Sequence, residues 1–139
     1  MLMQNLDGID YQNLVVGKNM GTYQCNVSRE LILNYIKNTG LDYEKFVFDN
    51  SLIAPAAMVF VFTLRAIFTN NIPIGGAVLA GHYLECIEPI REGRNVYVDV
   101  VIKDKYIKKE RKYVLLDFVV RGDDGSVNII NTMRAIWPN

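Results

Sequence analysis

Few side chains in this sequence of 139 residues could carry chemistry, and they are scattered along it. His82 is the only histidine, so any proton transfer by an imidazole has a single candidate. It stands in "AVLAGHYLECIEP", which reads as a strand. A structural ring, hydrogen-bonded at the strand end, is the plain expectation for it. Asp42, Glu44 and Asp49 fall in the irregular segment "LDYEKFVFDNS". A carboxylate there would serve as a base only with a raised pKa, so solvated or turn-forming roles are expected. Cys25 and Cys86 lie in no CxxC or Cys/His spacing and are expected to be reduced and buried, with no metal or reactive role. Around Lys103 to Lys112, "KDKYIKKERK", basic residues outnumber acidic ones. This is either a solvated hairpin tip or, through Lys108, Lys109 and Arg111, a charged contact that salt would weaken. Arg94 in "GRN" has the same two readings.

The elements that would position these groups are easier to read. Half of the residues are hydrophobic and 22% are charged, as in an ordinary folded protein, and the length suits one domain over residues 1–139. Lys plus Arg match Asp plus Glu at 15 each, so nucleic-acid binding lacks its electrostatic basis. "MLMQNLDGIDYQNLVVGKNM" has no basic region leading into an apolar one, so no signal peptide is expected and the cytoplasm is the default location. Ser28 is a plausible N-cap, Leu31, Ile32, Tyr35 and Ile36 share one face, and Gly40 supplies a left-handed stop. The spacing predicts a helix over about 28–39, after a strand near Tyr23.

"LIAPAAMVFVFTLRAIF", Leu52 to Phe68, is apolar on every face apart from Thr63 and Arg65. Pro55 suits a first helical turn. The run is too short, and too interrupted by Arg65, to cross a membrane. It is therefore expected to be a buried helix, enclosed by other elements. Three strands follow the one at Ala77–Pro89. "NVYVDVVIKDKYIKK" alternates at Val96, Val98 and Val100, and "RKYVLLDFVVRG" and "SVNIINTMRAIW" flank the hairpin signal "DDG". Short connections make the sheet antiparallel. The order predicts an α+β fold, a long curved antiparallel sheet wrapped around a central apolar helix.

That outline is the hotdog fold, and "LIAPAAMVFVF" followed by "HYLECIEPIREGRNVYVDVVIKDKYIKKERKYVLLDFVVRGDDGSVNIINTMRAIWP" resembles the MaoC-like dehydratase and R-specific enoyl-CoA hydratase family. The similarity is greatest to that family's N-terminal, dehydratase-like domain and runs from about Tyr23 to Pro138. It rests on an ordered set: an Ile-Ala-Pro helix start, a His-bearing strand, a Pro-x-Arg-x-Gly strand break, a long strand with a basic turn, an Asp-Gly hairpin and a terminal Trp-Pro. The resemblance implies an acyl-CoA or acyl-carrier thioester as ligand, no cofactor, and a homodimer or heterodimer with ligand tunnels between subunits.

The catalytic part of the pattern does not carry over. Active members bear Asp-x-Asn-Pro-x-His before the central helix. Here the matching stretch is "TGLDYEKFVFDN". One register sets Leu41 and Phe46 at the acid and histidine positions, and a shift by one sets Asp42 and Val47 there. What the resemblance does leave in place is the helix start, where Ala54, Pro55, Ala56 and Ala57 would let a thioester carbonyl approach free N–H groups. Small residues that only allow tight packing are the alternative. Arg94, Lys108, Lys109 and Arg111 would then meet a CoA phosphate or an acidic carrier. The leading expectation is an accessory hotdog subunit without a dyad of its own. The competing ones are a hydratase using Asp42 or Asp49 with His82, a thioesterase (disfavoured because the central helix holds no Asp or Glu), and an acyl-thioester sensor.

Overall fold

The computed structural model describes residues 8–139; residues 1–7, the start of the stretch read as lacking a leader, lie outside the described residues. Five strands form one antiparallel sheet: β1 (Asn19–Val27), β4 (Val78–Cys86), β5 (Arg94–Lys108), β6 (Arg111–Arg121) and β7 (Val127–Trp137). Their order is β1-β5-β6-β7-β4, so β1 and β4 are the edges. A separate small hairpin joins β2 (Val47–Phe48) to β3 (Ser51–Leu52). The helices are α1 (Arg29–Thr39) and α2 (Val59–Thr69), the latter preceded by a 3-10 turn at Ala56–Met58.

Alternation along the three central strands builds the core. Val96, Val98, Val100 and Ile102 of β5, Val114, Leu116, Phe118 and Val120 of β6, and Ile129, Met133, Ala135 and Trp137 of β7 are all buried. Because side chains alternate across a strand, these residues line one face, and α2 lies on it. The curved antiparallel sheet with its central helix is the hotdog arrangement that the sequence predicts.

Local signals explain most boundaries. The Ser28 side chain accepts from the Leu31 N–H at 3.1 Å, and Gly40 ends α1 at φ 69° with its N–H on the Ile36 carbonyl. The β5–β6 connection is a two-residue turn with Lys109 and Glu110 both at positive φ, as a tight hairpin matched to strand twist requires. In the "DDG" turn only Gly125 takes positive φ, and the Gly122 N–H reaches the Ser126 carbonyl, which makes a longer loop than an Asp–Gly pair alone. Gly21 sits at a bulge in β1 where the Asn70 side chain, just beyond α2, occupies the space a Cβ would need.

Four expectations need correction. Helix α2 is not enclosed on all sides. Val59, Phe62, Thr63, Ala66 and Ile67 are buried, whereas Leu64 and Phe68 are 55% and 58% exposed, because a sheet can cover only one side of a helix. Pro55 is not within the first turn but caps it in an extended conformation, since the preceding Ala54 N–H is committed to the Ile90 carbonyl in a strand-like pairing. Cys25 and Cys86 are free thiols, but Cys25 is half-buried and Cys86 exposed, because both stand on edge strands with one flank uncovered. His82 lies in the middle of β4, paired with Met133 of β7, not at a strand end. Among the described residues no helix is long and apolar enough to cross a membrane.

Candidate functional site

A cavity of about 460 Å³ lies between α2, β4 and β7. Phe60, Thr63, Leu64 and Ile67 supply its helical wall, and His82, Leu79, Met133 and Ala135 its sheet wall. The lining is apolar apart from Thr63 and His82. Such a space suits a hydrocarbon chain and excludes a charged group.

The polar residues here form one short chain of hydrogen bonds. Asn131 Nδ2 donates to Thr63 Oγ1 at 2.9 Å, and Asn131 Oδ1 lies 3.0 Å from His82 Nδ1. Asn131 is fully buried and Thr63 is 3% exposed, so both amide ends must find partners inside the protein. The Phe60 ring meets the His82 ring edge-on at 4.8 Å between centroids. His82 is thus held on the cavity side of the sheet by a neutral amide, with no carboxylate in the cavity wall.

The helix start is arranged by strand-like contacts. The Ala54 N–H donates to the Ile90 carbonyl at 2.9 Å, and the Leu52 N–H donates to Glu92 Oε2 at 2.6 Å. The same carboxylate oxygen pairs with Arg29 Nη1 at 2.9 Å, tying α1 to this lead-in. The Met58 N–H is spent on the Pro55 carbonyl, and Pro55 has no N–H to offer. This leaves Ala56 and Ala57, whose N–H groups donate to no carbonyl among the described hydrogen bonds, as the open donors of the first turn. Both lie on the 3-10 turn that leads into α2, and Phe60, three residues after Ala57, is the first helical residue that lines the cavity.

The remaining predicted residues are not brought together. Asp42 caps the 3-10 turn at Tyr43–Phe46 by accepting from the Glu44 N–H at 3.1 Å. Asp49 occupies the β2–β3 turn at φ 50°, beside Asn50 at φ 59°. Neither is hydrogen-bonded to His82. Arg94 begins β5 and Lys108 ends it, roughly 45 Å of strand apart. Arg94 and the hairpin-tip residues Lys108, Lys109 and Arg111 therefore cannot grip one phosphate. Only Arg94 lies at the end of the sheet where α2 starts, and there it lines a second depression, of about 490 Å³, with Arg91, Asp123 and Asp124. Its mixed charges do not suit an acyl chain. Arg65, the only charge on α2, points away from the cavity and donates to the Tyr23 hydroxyl at 3.3 Å. Burial raises the Tyr23 pKa, and the Arg65 bond offsets part of that rise.

Asn131 and Phe60 were not among the sequence candidates. Asn131 had a signal: it breaks an apolar alternation at a position in phase with Ile129, Met133 and Ala135, where a polar group must be paired. Phe60 had none, since one aromatic residue in an apolar run is indistinguishable from core.

No family model matches the sequence, and no curated protein matches it. Solved structures do share its fold. A MaoC-like dehydratase from Rhodospirillum rubrum superposes with a TM-score of 0.76 at 20% identity, covering 94% of this chain and 97% of that one. An R-hydratase from Pseudomonas aeruginosa gives 0.72 at 18%, covering 95% and 87%. The HadBC 3R-hydroxyacyl-ACP dehydratase complex from Mycobacterium tuberculosis gives 0.74 at 15%, covering 89% and 98%. At these identities the likeness establishes the hotdog fold, the one these dehydratases and hydratases share.

Proposed function

We propose that this chain binds acyl thioesters, acyl-CoA or acyl-carrier conjugates, as a non-catalytic subunit that completes the ligand tunnel of a partner hotdog bearing the Asp and His it lacks. The observation that carries the reading is the apolar cavity along α2, together with the open N–H groups of Ala56 and Ala57 on the turn that leads into that helix. A thioester oxygen that accepts from those donors directs its acyl chain along Phe60, Leu64 and Ile67. Fixed donors of this kind polarise a carbonyl, but they neither add nor remove a proton. Hydration of an enoyl thioester also needs a base for the water and an acid for the α-carbon. Asp42 is occupied as a turn cap and His82 faces an amide, which supports a binding role over a rearranged dyad.

A second subunit has a natural seat. Leu79 on the β4 edge and Leu64 and Phe68 on α2 are all more than half exposed, and they lie on the helix side of the sheet beside an unpaired strand edge. A heteromeric complex among the structures that share the fold supports a hetero-pair here. Arg94, at the α2-start end, is the basic residue best sited for a CoA or carrier phosphate. The test is an assay of the purified chain with crotonyl-CoA. Binding without hydration is expected, with hydration appearing when an Asp/His-bearing partner from the native host is added. Turnover by the chain alone, abolished in Asp42→Ala, would reverse the assignment.

A further inference from the structure

We infer that the tip of the β5–β6 hairpin docks end-on to an anionic lipid bilayer, with Ile107 entering the headgroup boundary and Lys108, Lys109 and Arg111 among the headgroups. The inference is independent of acyl binding, because the tip lies at the end of the sheet opposite Arg94 and the start of α2. Strand pairing leaves it projecting. Among the described residues, backbone hydrogen bonds from the β1 side reach β5 no further than Ile102, and β6 pairs with β7 only as far as Lys112, opposite Trp137. Ile107 to Arg111 are all exposed, Ile107 at 62%. One rung back, the half-buried Tyr106 and Tyr113 rings stack at 5.1 Å between centroids.

The charge pattern suits a negative surface. Lys103–Lys112 holds six of the 15 Lys and Arg but two of the 15 Asp and Glu, which leaves nine basic residues against 13 acidic ones elsewhere. The molecule is thus polarised, and a negative surface attracts this end and repels the rest. Three of the six cations have partners of their own. Lys103 lies 4.0 Å from Asp117, and Lys105 and Lys112 stand over the Tyr11 ring at 4.9 and 6.0 Å. Lys108, Lys109 and Arg111 form no ion pair among the described residues, with Glu110 the one acid between them. Shape then favours lipid over an acidic protein. Ile107 stands on a convex projection, for which a protein partner needs a moulded pocket, whereas a fluid bilayer admits it as it is. Lysine carries a point charge on a flexible stem, which follows a diffuse field and lets the stem lie along the apolar boundary. The tyrosine pair, apolar in body and polar at its hydroxyl ends, suits the headgroup level behind it.

The full-length protein is sedimented with vesicles of phosphatidylcholine alone, or of phosphatidylcholine with about a third phosphatidylserine, at low and at physiological ionic strength. The expected result is binding to the phosphatidylserine vesicles only, weaker in the higher salt. Each cation near an anionic membrane contributes about fivefold in affinity, so Lys108→Gln combined with Lys109→Asn should weaken binding about 25-fold. Asparagine suits the positive φ that Lys109 adopts. Ile107→Ser should weaken binding about tenfold, which a purely electrostatic contact would not show. All three positions are exposed, so the Tm of each variant should match that of the unmodified protein, which separates a lost contact from a lost fold. Equal binding to both kinds of vesicle, binding to neither, or undiminished binding by either variant would overturn the inference. Affinity for poly-glutamate without affinity for the vesicles would replace the bilayer by an acidic protein. None of these outcomes touches acyl binding, which is read separately.

Discussion

Replacing Asn131 by leucine, a residue of similar size, isolates the energetics of the polar chain under α2. The substitution deletes the hydrogen bonds to Thr63 and His82. Each lost bond costs about 1 kcal/mol, and stranding the buried Thr63 hydroxyl adds about 1 more, so a loss of roughly 2–3 kcal/mol is expected. For a chain of 139 residues the unfolding entropy near the midpoint is about 0.3 kcal/mol/K, which converts the loss to a Tm lower by about 7–10 °C. Thr63→Val should cost about 1–3 kcal/mol for the converse reason, an amide left unpaired at a fully buried position. The double variant removes both ends of the Thr63–Asn131 bond and should cost clearly less than the two single losses added. Urea unfolding at 25 °C of all four proteins measures this coupling. Strict additivity within about 0.5 kcal/mol would refute the claim that the two side chains depend on each other.

Three further outcomes follow from other parts of the molecule. Leu64→Asp combined with Phe68→Asp changes two exposed side chains, so folding should be kept while the proposed association with a second hotdog subunit, read by sedimentation, weakens; association unchanged by the substitutions would mean that this face is free. Gly40→Ala should lower stability by about 1 kcal/mol, read as a Tm drop of about 3 °C, because a side chain there meets no atoms but is strained at φ 69°. Burial alone would raise the Asp99 pKa, but the hydrogen bonds from Arg121 at 2.7 Å and Thr22 at 2.6 Å outweigh it and hold the carboxyl below its usual value. A lowered folded-state pKa contributes stability above the unfolded value of about 3.9 and loses it as pH falls through the folded one. The Tm gap between the unmodified protein and Asp99→Asn should therefore hold from pH 7 to about 4 and narrow below that, whereas a gap that widens in acid would contradict the sign.

Much of the architecture was legible because it rests on periodicity and punctuation. Val96, Val98 and Val100 announced a face, Ser28 and Gly40 announced a helix, and both held. The small β2–β3 hairpin was not legible, since Asp49 and Asn50 both take positive φ without the glycine that usually marks such a turn. The exposure of Leu64 and Phe68 was hidden for a different reason: composition says that a helix is apolar, not whether its own chain suffices to cover it. Within the site, the open N–H groups of Ala56 and Ala57 follow from a pairing between Ala54 and Ile90, 36 positions apart, which no local pattern encodes. The separation of Arg94 from Lys108 was in principle countable from one uninterrupted strand.

The central claim is that the cavity along α2 holds an acyl chain. Isothermal titration of the purified protein with hexanoyl-CoA and with free CoA tests it most directly. Each methylene taken out of water adds about 0.8 kcal/mol, so even partial burial of the chain predicts that hexanoyl-CoA binds at least tenfold more tightly than CoA. Equal affinities, or no binding of the acylated form, would contradict it.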